Sequence, residues 1–452
     1  MKAQYLFTTA LAAPILVATL GIGPAQAADK ALEAQVQSMQ NELITLKSQV
    51  SGMKAPEKDK GCEAMSKGSL SITCDGFSAK MIGRIMVDAA FFNEDKSRMG
   101  DGTEFRRARL GLTGKLFKDW QYKAEWDFAG NNVSAKDIWL AYNGFKSFHK
   151  TKLTIGHLKV PMMLENMTSS RHATFMERST AQDAFVGDLG DRQIGVTAAA
   201  GGHQWSLSGG IFGADMNDNA GNEGDEDWLI GGRGTFAPIN EKGRVIHLGV
   251  WGNYMDNEDN GDIALNPRPE SHIAPSFVDT GTITNTDNLT RWGAELAGVY
   301  GPASIQGEYV ATHINRYTAP GQGNANFDGW YVEASYFLTG ESRKYKGSSG
   351  KFDRVKPLKN LSDGGLGAWQ VAARYSDIDL NDASASIAGG REENITLGLN
   401  WLPNPYVKFM ANYIWVNNDD NATDNAANLK TGETSAGNDD PQIFQIRAQV
   451  DF

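Results

Sequence analysis

Beyond residue 20 the sequence has no run of about eighteen consecutive apolar residues, the minimum for a helix that crosses a bilayer, and its mean hydropathy is that of a soluble protein. A bundle of membrane helices is excluded. A membrane β-barrel is not, because each of its strands needs only every second residue to be apolar. Cysteine is scarce: Cys62 and Cys74 are the only two. They flank a Gly/Ser/Lys-rich linker with no histidine nearby, which argues against a zinc site and, in an oxidising compartment, for a disulfide. Catalytic signatures are missing too. There is no Gly-x-Ser-x-Gly elbow, no His-Glu-x-x-His helix and no phosphate-cradling glycine loop. The seven histidines, His149, His157, His172, His203, His247, His272 and His313, are scattered, so no catalytic residue, metal or cofactor is assigned. No nucleic-acid signature is present either.

What is present begins with an export signal. Lys2, an apolar stretch from Leu6 to Leu20 and the small-residue site Ala25-Gln26-Ala27 mark residues 1–27 as a signal peptide. In 28–53 the residues Leu32, Val36, Met39, Leu43, Leu46, Val50 and Met53 are spaced alternately by four and three. That is the seam of a short coiled coil, which must bury its stripe against partner helices, most naturally in a homotrimer. A single amphipathic helix lying on the membrane face is the alternative. Residues 54–76 form the linker that carries the Cys62–Cys74 pair.

From residue 77 to the end apolar and polar residues alternate. In the last twelve, Phe444, Ile446, Ala448, Val450 and Phe452 share one strand face, and Gln445, Arg447, Gln449 and Asp451 share the other. Period-two segments are found at 77–92, 102–116, 119–130, 134–145, 148–160, 191–201, 203–213, 227–239, 245–255, 289–301, 302–314, 326–340, 366–380, 391–403, 405–417 and 441–452. Sixteen strands, give or take about two, predict an all-β protein, a transmembrane antiparallel barrel over 77–452 with an apolar lipid face and a polar lumen. Short turns alternate with long polar loops, which puts both termini on the periplasmic side of a Gram-negative outer membrane, among its lipid and lipopolysaccharide. Only 341–365, long and rich in Lys and Arg, breaks the alternation.

So wide a barrel is expected to hold an aqueous channel. The loop 161–190 is too apolar to float in solvent, with Met162, Met163, Leu164, Met167, Phe175, Met176 and Phe185, and suits a segment folded against the inner wall; packing at a subunit interface is the alternative. Net charge is −11, but acidic residues cluster in the expected external loops. Strand parity turns Lys80, Arg84, Arg107, Arg109, Lys123, Lys152, Arg291, Arg374, Lys408 and Arg447 inward, against Asp88, Glu125, Asp127, Glu295, Glu308, Glu333 and Asp451. The densest basic cluster is Arg106, Arg107 and Arg109, joined by Arg171 and Arg178 if the loop folds inward. Guanidinium forks match phosphate and carboxylate oxygens. Arginine–carboxylate networks that merely stiffen the wall are the competing explanation.

The segments FRRARLGLTGKLFKDWQYKAEWDF (105–128), LTIGHLKVPMMLENMTSSRHATFMER (153–178), GAWQVAARYSDIDLND (367–382) and REENITLGLNWLPNPYVKFMANYI (391–414) resemble the phosphate-selective porin O and P family. The resemblance implies a homotrimeric outer-membrane porin of sixteen strands, with an inward third loop and a basic anion path. By it, Arg106 and Arg107 fall on the anion-contacting wall and Ser170 and Arg171 on the loop. The expected constriction is therefore Arg84, Arg106, Arg107, Arg109, Lys123, Asp127, Lys152, Ser170, Arg171 and Arg178. One departure is the lack of a lysine collar in the external loops. The expected function is passive passage of small hydrophilic solutes with a preference for anions or phosphate. A general or sugar-type porin and a structural tether acting through the coiled coil remain alternatives.

Overall fold

Strands with apolar residues on alternate positions have two stable fates, a sandwich or a closed cylinder, and here the last strand pairs with the first wall strand. The computed structural model describes residues 25–52, 62–66, 68–145, 151–213, 227–257, 262–317, 323–419, 429–431, 433 and 437–452. Most of the signal peptide (1–24) and the acidic stretch 214–226 lie outside the described residues.

Ala25–Gly52 forms one helix, α1, which is a unit by itself; its seam residues Val36, Met39, Leu43 and Leu46 are all exposed. In the second unit a hairpin of β1 (Glu63–Ser66) and β2 (Leu70–Cys74) is stapled by the Cys62–Cys74 disulfide. The wall follows in β3 (Phe77–Asn93), β4 (Gly102–Leu116), β5 (Trp120–Asp127), β6 (Ser134–Tyr142), β7 (Lys152–Lys159), β8 (Arg192–Gly201), β9 (Trp205–Phe212) and β10 (Trp228–Glu241). It continues in β11 (Arg244–Asp256), β12 (Thr286–Tyr300), β13 (Ala303–Arg316) and β14 (Ala325–Phe337). A small hairpin, β15 (Lys344–Lys346) and β16 (Lys351–Asp353), precedes the last four wall strands, β17 (Ala368–Asp382), β18 (Ile387–Asn404), β19 (Val407–Asn418) and β20 (Gln442–Asp451). Each wall strand pairs antiparallel with its neighbours and β20 pairs with β3, so sixteen strands close, as the sequence predicts.

The closure has a local cause. Gly83 and Phe452 exchange two backbone hydrogen bonds of 3.1 Å, and the Phe452 ring lies where a Cβ on residue 83 would stand, 2.4 Å from its Cζ. Only glycine leaves room for the final aromatic. Beyond Phe452 the lower edge of β3 is taken over by β2, which pairs Ser71–Cys74 with Phe77–Lys80.

The wall inverts the burial of a soluble protein. On β20 Gln445, Arg447, Gln449 and Asp451 are 2–4 % exposed, whereas Phe444, Ile446 and Val450 are 38–42 % exposed. An apolar face left open to this extent is what lipid contact requires. Stacked Trp369, Trp401 and Phe409 mark an aromatic girdle near the short-turn end.

The lumen is far from empty. The loop between β7 and β8 runs inside the barrel, joined by the loop between β11 and β12 from the same end and by the long connection between β14 and β17 from the short-turn end. Glu270 of the second accepts from Ser376 (2.7 Å), Thr396 (2.6 Å) and, through its carbonyl, Gln445 (2.9 Å). The connection between β14 and β17, which broke the alternation of loop lengths, turns up into the barrel: Gly350 O accepts from Arg233 at 2.6 Å and Arg343 donates to Gln306 at 2.8 Å. A long turn is tolerated at that end because it fills the lumen instead of hanging in solvent.

Candidate functional site

A loop buried in a barrel needs partners for its backbone polar groups, and the wall supplies them as side chains. Asn400 donates to Thr174 O (2.8 Å), Lys408 to Ala173 O (2.6 Å), Gln449 to Arg171 O (3.1 Å) and Arg447 to Met176 O. Arg374 donates to Glu177 O (3.1 Å) and Arg291 to Phe185 O (2.7 Å). At the loop's start Glu308 accepts from the amides of Leu164 (2.7 Å) and Glu165 (2.8 Å). Met162, Met163, Leu164, Phe175 and Phe185 are at most 1 % exposed. The loop is a lumen element, not a subunit contact.

These contacts revise the charge tally taken from strand parity. Arg291, Arg374, Lys408 and Arg447 do face inward, but they are clamps. Arg447 grips Asp88 through two bonds (2.6 and 2.7 Å) and reaches Glu177 at 2.5 Å. Arg374 pairs with Glu165 (2.8 Å), Glu333 (2.9 Å) and Glu270 (3.4 Å). Their charge is spent on holding the loop.

What remains faces a cavity of about 510 Å³ between the loop and the wall of β3–β8. Eight of the ten expected residues line it: Arg84, Arg106, Arg107, Arg109, Lys123, Ser170, Arg171 and Arg178. Lys152 lines an adjoining chamber, and Asp127 sits behind Arg109, accepting its Nε at 2.7 Å. Sequence reasoning missed Lys136, Asp137, Lys159, Arg192 and Lys351, which also line the cavity.

Two β-bulges explain part of this. Opposite β3, Arg107 pairs with Met86 and Phe105 with Val87, so Arg106 is an extra residue and both arginines turn inward. Simple alternation would have put Arg106 in lipid. Between β5 and β6, Ala124 pairs with Ile138 and Trp126 with Ala135, which brings both Lys136 and Asp137 to face Glu125. A bulge is invisible to strict period-two reading.

The cavity is lined by eleven lysines and arginines against three aspartates, Asp137, Asp183 and Asp191. Several cations are partly neutralised. Arg84 (3.3 Å), Lys123 (2.9 Å) and Arg171 (3.3 Å) share the buried Glu125, and Arg84 also donates to Ser170 Oγ at 2.5 Å. Arg106 pairs with Glu177 at 2.8 Å, and Arg192 with Asp137 (2.9 Å) and Asp191 (2.6 Å). Among the described residues Arg107 forms no ion pair; its Nη1 lies 3.6 Å from Met86 Sδ and its Nε has no partner. Burial alone would raise the Glu177 carboxyl, but Arg106, Arg447 and Arg107 hold it well below the usual carboxylate range. Burial, reinforced by Arg354, presses His172 down to about 3, so this loop histidine is neutral at ordinary pH and adds no charge to the cavity.

The family model for the phosphate-selective porins O and P matches residues 79–452, the whole wall with its closing strand. The chain belongs to the phosphate-selective porin O and P family. This porin is 30 % identical to Porin O of Pseudomonas aeruginosa over 86 % of its own length and 92 % of that protein's. Its fold is similar to the trimer form of OmpT from Vibrio cholerae (TM-score 0.52, 12 % identity, 84 % of this chain and 100 % of that one). It is similar also to an anion-selective porin from Comamonas acidovorans (TM-score 0.50, 14 % identity, 83 % and 100 %). The porin is thus an outer-membrane channel, with the arginine-lined cavity at its waist.

Proposed function

We propose that this porin conducts small solutes passively with a preference for anions, inorganic phosphate among them, and that the cavity bounded by Arg84, Arg106, Arg107, Arg109, Lys123, Ser170, Arg171 and Arg178 is its selectivity constriction. The observation that carries this is the lining of eleven cations against three aspartates, with Arg107 and Arg178 forming no ion pair among the described residues. Neighbouring carboxylates such as Glu125 temper the site, so that an ion bound there also leaves. The role is conduction without catalysis. The short-turn end is assigned to the periplasm with both termini, after removal of residues 1–27.

Reversal potentials of the purified protein in planar bilayers under a KCl gradient test the proposal: chloride should permeate better than potassium, and added phosphate should reduce the chloride current. Cation selectivity sinks it.

The exposed seam of α1 supports a homotrimer assembled through a coiled coil over 28–53, because Val36, Met39, Leu43 and Leu46 are left exposed among the described residues. Deleting 29–53 should lower trimer stability on semi-native gels; an equally stable trimer removes this role.

A further inference from the structure

Below the constriction, toward the short-turn end, lies a second chamber of about 520 Å³. The two share Lys123, Asp137, Lys159, Met167 and Lys351 and so adjoin one another. Their linings differ in kind. The constriction is walled by guanidinium groups and carboxylates, whereas the chamber is lined by Trp139, Leu158, Pro161 and Met167 alongside its cations. Arg233 is committed there, gripping Glu295 through two bonds of 2.7 Å. Lys152 is not: it forms no ion pair among the described residues, and its ammonium stands 4.9 Å over the Trp139 ring. Asp137 is the sole acidic residue of the lining, and it is held by Lys123 and Arg192. The chamber thus presents an ammonium with no carboxylate partner among the described residues, the indole it stands over and an apolar wall at one place.

Inorganic phosphate would satisfy the ammonium and leave the apolar wall wet. A small organic anion with a flat body would satisfy both, its carboxylate on the ammonium and its ring against the indole, where apolar area leaves water. The hydroxyls of Thr154 and Thr197, 4 % and 8 % exposed, offer further donors on the same lining. Sites of this volume accept small molecules with room for water.

We infer that this chamber is a second station of the channel, selective for small aromatic carboxylates, with Lys152 taking the carboxylate and Trp139 the ring. It rests on the proposed anion preference and adds a solute class to it.

The experiment measures inhibition of chloride current in planar bilayers by benzoate and by acetate, in the wild-type protein and in Trp139→Ala and Trp139→Phe. The readout is the ratio of the two inhibition constants within each protein, so a change in total conductance cancels. Ring stacking is worth a factor of roughly two to ten. Benzoate should therefore inhibit at a concentration lower by about that factor in the wild type. The ratio should fall toward one in Trp139→Ala and be largely kept in Trp139→Phe, while Lys152→Gln should weaken both anions together. Equal inhibition by the two acids in the wild type overturns the inference, as does an unaltered ratio in Trp139→Ala. A wild-type channel that selects cations overturns the proposed function as well. Anion selectivity without a benzoate preference overturns this station alone.

Discussion

Replacing Arg107 by alanine removes a cavity guanidinium that forms no ion pair among the described residues, and the effect on selectivity follows from Coulomb's law. A unit charge passing about 4 Å from the guanidinium interacts with it by roughly 1 kcal/mol in bulk water. The anion loses that attraction and potassium is freed from an equal repulsion, so the difference between them shifts by about 2 kcal/mol. Converted at about 1.4 kcal/mol per tenfold, the chloride-to-potassium permeability ratio falls by up to roughly thirtyfold. Salt inside the pore, with a Debye length of about 10 Å at 0.1 M, screens part of this and brings the lower bound to around threefold. Reversal potentials under a KCl gradient read the ratio directly, and Arg107→Lys should keep most of it. Glu125→Gln tests the same logic with the sign reversed. It deletes the carboxylate shared by Arg84, Lys123 and Arg171, so anion preference should rise. If Arg107→Ala leaves the ratio unchanged in folded protein, the cavity is not where ions are selected.

Glu177→Gln should loosen the loop by breaking its pairing with Arg106 and Arg447, a loss of about 3–5 kcal/mol for one partner of a buried ion pair. Single-channel traces should become noisier; traces unaltered in amplitude and noise would show that the loop does not depend on this latch. Lys351, on the short-turn hairpin that enters the lumen, is pushed down to about 8 by burial and then by Lys346 and Lys152. It carries its charge below that pH and loses it above, so anion preference should decline as pH rises through about 8, and Lys351→Gln should abolish the decline. Gly83→Val places side-chain atoms where Phe452 closes the barrel. Overpacking of this kind costs about 1–3 kcal/mol, which should appear as a lower temperature for loss of the compact barrel band on gels; an unshifted temperature would mean the terminal ring can move aside freely.

The sequence by itself determined the cylinder. Lipid imposes a strict two-residue alternation on any strand that touches it, and this constraint is local, so Phe444 to Phe452 and their counterparts disclosed the wall and its count of sixteen. The apolar residues of 161–190 likewise disclosed an inward loop, since Met162, Met163 and Phe185 have no stable place in water. What the lumen does with its charges was decided only in three dimensions. Arg374 and Arg447 carry the same chemistry as Arg107 and face the same way, yet two anchor a loop and one stays open, because carboxylates and carbonyls distant in sequence reach them and not Arg107. The inward turns of Arg106 and Lys136 depend on single extra residues in strand register, set by hydrogen bonding to the neighbouring strand and not by the residues themselves. Alternation against lipid is written residue by residue; compensation of charge across a lumen exists only once the ring has closed.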